Sequence, residues 1–358
     1  MTYTLALGPF HPAWRGPQRF IFRVSGEQIA DVEYQSGLNE RGCAERIPRL
    51  DLPEALQLVS RICGTCSVAH ALAFCQAIEQ LCGLALPERA AYLRAAAAEA
   101  ERVASHLRAA ATLLQTLGME RSAAQLDRLR ERAQQALASL AGARVGPDIV
   151  VPGGVRRDIP GRAREQLLAD LPAINRDLYR IVDSLIDNRA LLARTIEVGS
   201  LPRTAAEQFG VRGPMARASG IARDARADYP YAAYPQFALR PVVQEGGDVY
   251  ARLVVLLLEA YESVKLVEQA LAELPAGACV GAIPEKLAAG QASGAAEGPH
   301  GLIRYTLESD GYRLTRARID TPRQLDRLLA RTLLAGALPD DTVAIIASVD
   351  PCVACAER

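Results

Sequence analysis

Two pairs of cysteines constrain this chain more than any other feature. Each pair follows the pattern Cys-x-x-Cys: Cys63 with Cys66, and Cys352 with Cys355. A turn of this kind directs two thiolates to one metal centre, because the two intervening residues reverse the backbone just enough. The pairs stand far apart in a sequence of 358 residues. Only a fold that joins distant parts of the chain can therefore bring all four sulfurs together.

Four thiolates form a soft set of donors, which suits zinc, iron–sulfur clusters, copper(I) or nickel rather than magnesium or calcium. A structural zinc site is the simplest interpretation, although structural zinc ligands usually cluster locally in the sequence. A catalytic or electron-transfer metal is the alternative. The other cysteines, at positions 43, 75, 82 and 279, are too scattered for an iron–sulfur motif. Cys75 and Cys82 share one predicted helical face and are expected in the core.

The composition excludes several classes of function. The 41 lysine and arginine residues balance 41 aspartate and glutamate residues, so no basic surface indicates nucleic-acid binding. No apolar run is long enough for a signal peptide or a spanning helix. We therefore expect a soluble chain that is not itself membrane-spanning. Cysteine pairs in a chain without a signal peptide indicate metal or redox chemistry in a reducing compartment.

The hydrophobic patterns predict an α+β fold that is mainly helical with a small β subdomain. Period-two alternation predicts two hairpins, with strands Arg19–Val24 and Ile29–Tyr34, and Leu302–Leu307 and Tyr312–Ala317. Apolar residues at helical spacing, together with capping signals, predict helices over about Pro53–Arg61, Ser67–Leu81, Glu88–Leu117, Arg121–Leu140, Arg162–Leu192, Asp248–Leu274 and Thr321–Leu334.

The remaining stretches carry weaker signals. Val151–Val155 is predicted as a loop, residues 199–245 as irregular with a short helix near Ser219–Ala225, residues 275–301 as a surface excursion, and Val343–Ala347 as a buried strand. We expect a single domain over residues 1–358. In it, residues 1–50 and 300–320 form the β subdomain, residues 51–275 the helical core, and residues 343–358 the C-terminal metal-ligand segment.

The residues around the cysteines extend each pair into a longer motif. Residues 61–70 read Arg-Ile-Cys-Gly-x-Cys-x-x-x-His, and residues 350–358 read Asp-Pro-Cys-x-x-Cys-x-x-Arg. Both resemble the signature motifs of the nickel–iron hydrogenase large subunit. The resemblance implies a nickel–iron centre on the four cysteines, whose iron also carries carbon monoxide and cyanide ligands.

Positions in the motifs imply a role for each residue. Cys63 and Cys352 would be terminal nickel ligands, and Cys66 and Cys355 would bridge nickel to iron. His70 would hydrogen-bond a bridging sulfur and orient it; its alternative is a core histidine with satisfied hydrogen bonds.

Further segments are similar to the energy-converting, membrane-bound branch of this family and to its relative, the quinone-site subunit of respiratory complex I. They are Gly8–Pro12, Glu101–Leu107, Gly153–Val155, Gly213–Gly220, Tyr229–Tyr231 and Gly247–Arg252. The complex I relatives lack the four cysteines, so the cysteines distinguish the two branches. The resemblance implies dihydrogen and protons as substrates, a small subunit carrying a 4Fe-4S cluster, and antiporter-like membrane subunits. It also implies a peripheral position on the cytoplasmic face of the cell membrane.

Two acidic or basic roles follow from the expected chemistry. Heterolysis of dihydrogen needs a nearby base, and a terminal thiolate can serve, because metal coordination keeps it deprotonated. Cys352 is our candidate for this base. Asp350 could orient or polarise the site; its alternative is to cap the turn that follows.

Three positions depart from the family pattern. Gly16, beside Arg15, stands where a glutamate usually relays protons. Ala44 stands where a glutamate usually supports a magnesium or second iron near the C-terminus, which makes that ion doubtful here. His300, within Pro-His-Gly, stands where an arginine usually covers the open metal face; histidine can carry protons but supplies no fixed charge.

Two functions remain open on the sequence. The first is the catalytic subunit of a nickel–iron hydrogenase, which interconverts dihydrogen with protons and electrons and is coupled to ion translocation in a membrane complex. The alternative is a complex I-like quinone or coupling subunit with a vestigial or repurposed metal site. A structural zinc protein is a third, weaker interpretation.

Overall fold

The computed structural model of the chain describes residues 1–281, 286–322 and 325–358. The α-helices of this part of the chain are α1 Cys43–Arg46, α2 Leu52–Ser60, α3 Ser67–Cys82, α4 Glu88–Thr116, α5 Glu120–Ala141, α6 Gly161–Ile186, α7 Arg189–Thr195, α8 Arg203–Gln208, α9 Pro214–Arg217, α10 Ala225–Asp228, α11 Val249–Ala272, α12 Arg327–Leu334, α13 Thr342–Val349 and α14 Val353–Ala356. The strands are β1 Thr2–Leu7, β2 Arg19–Ser25, β3 Gln28–Gln35, β4 Val150–Val151, β5 Gly154–Val155, β6 Ala289–Gly298, β7 Gly301–Asp310 and β8 Leu314–Asp320.

The strands form three separate antiparallel sheets. β1, β2 and β3 pair in that order, β4 pairs with β5, and β6, β7 and β8 pair in that order. The two ends of the chain therefore contribute strands to different sheets rather than to one. The α+β class predicted from the sequence is confirmed, and helices dominate it. No helix among the described residues has both the length and the apolarity needed to cross a bilayer.

The central helix α4 is buried along most of its length and is rich in alanine. Small side chains let α5 and α11 each pack closely against it. Asp248 caps α11 as predicted, because its carboxylate accepts a hydrogen bond of 2.7 Å from the backbone nitrogen of Ala251. The long helices of the sequence prediction are thus confirmed, within one or two residues, for α3, α4, α5 and α11.

Two helix predictions were wrong in their bounds. The helix expected over 162–192 is interrupted after Ile186, and the side chain of Asn188 caps a new helix by accepting a hydrogen bond from Leu191 at 3.1 Å. The helix expected from Thr321 begins only at Arg327, where Asp326 provides the cap. Residues 323 and 324 of that expected helix lie outside the described residues.

The helix predicted near Ser219–Ala225 was also wrong. Gly220 has a φ of +82°, which a helix does not accommodate. Its backbone nitrogen bonds the carbonyl of Gln244 at 2.8 Å instead of continuing a helix. The helices α9 and α10 lie on either side of this turn.

Three stretches have a different type of structure from the one that the sequence predicted. Part of the expected surface excursion is the strand β6, which packs on α3; a Cβ at Gly294 would lie 2.2 Å from the carbonyl oxygen of Ala73. Its small residues are therefore a requirement of close packing. The expected buried strand Val343–Ala347 belongs to the helix α13, which packs against α4 and α11. A short apolar run cannot by itself distinguish a buried strand from a buried helix. Val151–Val155, expected as a loop, is the tight hairpin of β4 and β5.

Candidate metal centre

The fold brings the two cysteine pairs together. The sulfur atoms of Cys63 and Cys352 lie 3.4 Å apart, and those of Cys63, Cys66 and Cys355 all lie within 4.8 Å of one another. All four cysteines are buried and none is in a disulfide. Four thiol groups that converge on one buried point form a donor set that fits a soft metal centre.

Each pair stands at the start of a helix. Cys66 is the N-cap of α3, and Cys352 is the N-cap of α14. The N-terminus of α3 is also bound by Glu101, whose carboxylate accepts hydrogen bonds from Val68 at 2.9 Å and Ala69 at 3.3 Å. The helix starts therefore fix the two pairs in place.

The four thiols differ in the direction of their pKa shifts. The pKa of Cys63 is held well below its usual range, because the thiols of Cys352, Cys355 and Cys66 hydrogen-bond its sulfur. A hydrogen bond with Cys355 acts to lower the pKa of Cys352, but its bond with Cys63 and burial outweigh that effect and raise the pKa to about 12. The cluster thus favours a single negative charge. The other thiols release their protons only when a cation supplies compensating charge.

His70 stands between the sulfurs and the β6–β8 sheet. Its Nε2 lies 3.5 Å from the sulfur of Cys355, and its Nδ1 lies 2.8 Å from the hydroxyl of Tyr305. Burial lowers its pKa to about 4, an effect that nearby Arg358 and Arg41 reinforce and Cys63 opposes. A neutral imidazole held from both nitrogens can orient the Cys355 sulfur.

His300 and Asp350 form a hydrogen-bonded pair beside the cysteine cluster. The Nδ1 of His300 lies 3.4 Å from the sulfur of Cys66, and its Nε2 lies 2.8 Å from the Asp350 carboxylate. Because a carboxylate accepts hydrogen bonds, Nε2 carries a proton and Nδ1 faces the sulfur. Burial acts to raise the pKa of Asp350, but Arg108, His300 and Arg15 hold it well below its usual range. The carboxylate is thus tied to Arg108 and His300, and Cys352 rather than Asp350 caps α14.

Arg15 is a residue at the centre that the sequence did not single out. Its guanidinium donates a hydrogen bond of 2.9 Å to the Thr65 hydroxyl, which lies 3.3 Å from the sulfur of Cys63. Burial alone would lower its pKa, but Asp350, Cys352 and Cys63 raise it. The only sequence signal was its place beside Gly16. A fixed positive charge therefore does reach the cluster, from the N-terminal loop.

Gly16 has a physical reason to lack a side chain. Its φ is +82°, and a Cβ there would lie 2.7 Å from the Cβ of Val353. The neighbouring backbone of Arg15 pairs in parallel with that of Cys352. The N-terminal loop thus runs directly against the ligand segment. A glutamate at this position would need the backbone to shift.

The residues around Ala44 do not fit a second metal ion. The methyl group of Ala44 offers no ligand, and Glu40 and Glu45 are exposed to solvent. The side chain of Arg41 donates hydrogen bonds to the carbonyl oxygens of Ile62 and Ala354, which it thereby occupies. The donor set suits a guanidinium, not magnesium or iron.

Comparison with known families identifies the class of protein. Residues 41–109 match the family of nickel-dependent hydrogenases, and residues 118–287 match the 49-kDa subunit of the respiratory-chain NADH dehydrogenase. The chain therefore belongs to the family that unites nickel-dependent hydrogenase subunits with the related subunit of NADH-quinone oxidoreductase.

Individual relatives come from both branches. The carbon monoxide-induced hydrogenase of Rhodospirillum rubrum is 31% identical over 100% of this chain and 99% of its own length. The membrane-bound hydrogenase subunit alpha of Pyrococcus furiosus is 33% identical over 99% of this chain and 87% of its own length. A subunit of the NADH-quinone oxidoreductase of Clostridium beijerinckii is 30% identical over 97% of this chain and 95% of its own length.

A solved structure has the same fold. One chain of the membrane-bound sulfane sulfur reductase, an archaeal respiratory membrane complex, matches with a TM-score of 0.93 and 28% sequence identity. The match covers 100% of this chain and 98% of that chain. Relatives of this protein are thus subunits of oxidoreductases, several of which work in membrane complexes.

Proposed function

We propose that this protein is the catalytic subunit of an energy-converting nickel–iron hydrogenase. It would interconvert dihydrogen with protons and electrons, coupled to ion translocation in a membrane complex. The observation that carries this proposal is the convergence of four buried cysteine sulfurs. The resemblance of the motifs implies that the complex I relatives lack these cysteines, and a closed set of four sulfurs supports metal binding by this chain.

The donor set assigns the residues that would hold the centre. Cys63 and Cys352 would bind nickel, and Cys66 and Cys355 would bridge nickel to iron. When bound, the two metals would polarise dihydrogen and take up its electrons. Cys352 would be the base that takes up the released proton on its sulfur.

The surrounding polar side chains would keep that geometry. Arg108 fixes the Asp350 carboxylate, and Asp350 fixes the ring of His300 with its Nδ1 toward Cys66. Arg15 would supply the fixed positive charge that His300 lacks. His300 and Asp350 are buried, and Arg15 and Arg108 are half-buried, so these groups limit the access of water to the sulfurs.

The proposal requires partners. The cysteines outside the candidate centre are dispersed over the fold, so electrons would leave through a small subunit carrying a 4Fe-4S cluster. Antiporter-like membrane subunits would couple electron flow to ion movement, with this chain on the cytoplasmic face of the cell membrane. The membrane-bound relatives support this arrangement.

Metal analysis of the purified complex tests the proposal directly. We expect about one nickel per chain and infrared bands of iron-bound carbon monoxide and cyanide. Cys63→Ser and Cys352→Ser variants should lose the nickel, whereas Cys82→Ser, at a partly buried cysteine outside the centre, should retain it. Stoichiometric zinc without nickel in the wild-type complex would refute the proposal.

A second candidate function is a complex I-like subunit with a repurposed site. It is favoured by the match of residues 118–287 to the 49-kDa subunit and by the departures at Gly16, Ala44 and His300. A complex with this function would reduce a quinone or another acceptor but show no hydrogen–deuterium exchange. The two assays, run on one preparation, separate the two functions.

A further inference from the structure

The last residues of the chain are held in an unexpected way. Two arginine side chains and one carboxylate make the contacts where the family pattern would place a magnesium or second iron. We infer that Arg41 and Arg358 replace that ion and hold the C-terminal cysteine pair without any divalent cation. This inference concerns the support of the centre and does not depend on which metal the four sulfurs bind.

Arg41 joins the two ligand segments through their backbones. Its Nη2 donates to the carbonyl of Ile62 at 2.8 Å and to the carbonyl of Ala354 at 2.6 Å. Ile62 precedes Cys63, and Ala354 precedes Cys355. One guanidinium therefore sets the spacing between the two cysteine pairs, a role that a cation with carbonyl ligands could otherwise fill.

Arg358 ties the same segment to the sheet. Its Nη1 donates to the carbonyl of Cys355 at 3.2 Å and to the Thr321 hydroxyl at 3.1 Å, and its Nη2 donates to the carbonyl of Ile319. The Thr321 hydroxyl itself donates to the carbonyl of Cys355 at 2.8 Å. The second ligand pair is thereby fastened to the end of β8.

Glu357 is the carboxylate that a cation would need, but it is already in use. Its two oxygens accept hydrogen bonds of 2.6 Å from the backbone nitrogens of Gly37 and Asn39. Its own carbonyl accepts from the Nε of Arg41 at 3.3 Å. The Glu357 carboxylate thus links the loop that precedes α1 to the residue that follows α14.

The local charge also opposes a cation. Arg41 donates to the carbonyl of Ala354 and Arg358 to the carbonyl of Cys355, so both guanidiniums lie beside the same short backbone segment. A divalent ion placed among them would face two positive charges at short range. Arg41 and Arg358 are therefore positioning residues that make a supporting ion unnecessary.

Chelation of the purified complex tests the first part of the inference. The sample is dialysed against EDTA, its magnesium and iron are counted, and hydrogen exchange of residues 350–358 is followed by mass spectrometry. We expect no magnesium before treatment, and exchange rates that EDTA does not change. One magnesium per chain, removed by EDTA together with the protection of these residues, would overturn the inference.

Substitution tests the second part. Arg41→Lys keeps the charge but cannot reach both carbonyls, so we expect exchange of residues 353–358 to rise roughly tenfold or more, the effect of losing a charge-assisted hydrogen bond. Arg46→Lys, at an exposed arginine of α1, is the matched control and should exchange like wild type. Unchanged exchange in Arg41→Lys would refute the role of Arg41.

Nickel content, measured in the same samples, keeps the two proposals apart. A wild-type complex without nickel, but with EDTA-independent protection that Arg41→Lys removes, would refute the hydrogenase and leave this inference standing. Hydrogen exchange in α11, which lies far along the chain from Arg41, reports whether the Arg41→Lys variant has folded. The variant must protect α11 as well as wild type does.

Discussion

His300 contacts both halves of the candidate centre, since one ring nitrogen faces Cys66 and the other binds Asp350. Only 8% of the surface of this residue is exposed, so any replacement must fit the same enclosed space. Its hydrogen bonds therefore act on the Cys66 sulfur at short range. A change here should affect chemistry more than folding.

We expect His300→Arg to change hydrogen turnover per nickel by at least about tenfold, because a fixed charge would replace a group that can exchange protons. Hydrogen–deuterium exchange activity, normalised to nickel content, is the measurement. Nickel content itself should stay close to that of wild type, since His300 is not a ligand. Unchanged turnover would place His300 away from the reacting face.

Gly16 offers a second test at this scale. Gly16→Ala must adopt a positive φ and also push its Cβ against Val353. Gly26→Ala is the matched control, because Gly26 has a φ of +64° but no atom within 4 Å of the added Cβ. We expect Gly26→Ala to cost about 1 kcal/mol in the free energy of unfolding, and Gly16→Ala to cost about 2–4 kcal/mol. If urea titrations gave both variants the same loss in the free energy of unfolding, the contact between residue 16 and Val353 would have to be loose.

At the scale of elements, β6 and α3 pack backbone against backbone. The added Cβ of Gly294→Ala would meet the Ala73 carbonyl at 2.2 Å and the Ala77 nitrogen at 2.4 Å. We expect a loss of about 3 kcal/mol or more, because neither atom can move alone. Gly161→Ala, where nothing lies within 4 Å, should be neutral or slightly stabilising. Thermal unfolding of the two variants is the measurement.

The same packing explains what the sequence could and could not predict. Long helices such as α4 carry their own periodicity, and Asp248 signals its cap locally, so both were predictable. The strand β6 was not, because its glycines and alanines reflect the position of α3, which lies far away in the sequence. The helix α13 is apolar on every side, so its sequence carries no period that separates helix from strand.

The candidate centre shows the same division. The cysteines, His70 and Asp350 were identifiable because each belongs to a local motif. Arg15 and Arg41 act through tertiary contacts with Thr65, Ile62 and Ala354, and no local pattern marks them. Residues that position a site across the fold leave little trace in a single sequence.

At the scale of the whole molecule, a buried network of charges joins α4, α9, α11 and β6. Arg217 binds Glu259 at 2.5 Å and Glu297 at 2.9 Å, and His106 lies 2.9 Å from Glu259. These groups come from four separate parts of the chain. Removing one charged partner would leave another charge buried and uncompensated. Such a change typically lowers the free energy of unfolding by about 3–5 kcal/mol.

This network predicts how stability depends on pH. Burial acts to raise the pKa of Glu259, but Arg217 and His106 lower it to about 2. A carboxyl whose folded pKa lies below its unfolded value of about 4.3 stabilises the protein above that value. The contribution is then lost as the pH falls from about 4.5 toward 2, and it amounts to about 3 kcal/mol.

We therefore expect the free energy of unfolding, measured by urea titration, to fall steeply between about pH 4.5 and pH 2. Glu259→Gln should be less stable than wild type at pH 7, because Arg217 loses its closest partner, and its loss of stability on acidification should be smaller by about 3 kcal/mol. Glu262→Gln, at an exposed pair with Lys265 on the same helix, is the control and should follow the wild-type curve. Parallel curves for wild type and Glu259→Gln would mean that Glu259 is not ionised in the folded protein, and the network would then have to be held by neutral hydrogen bonds.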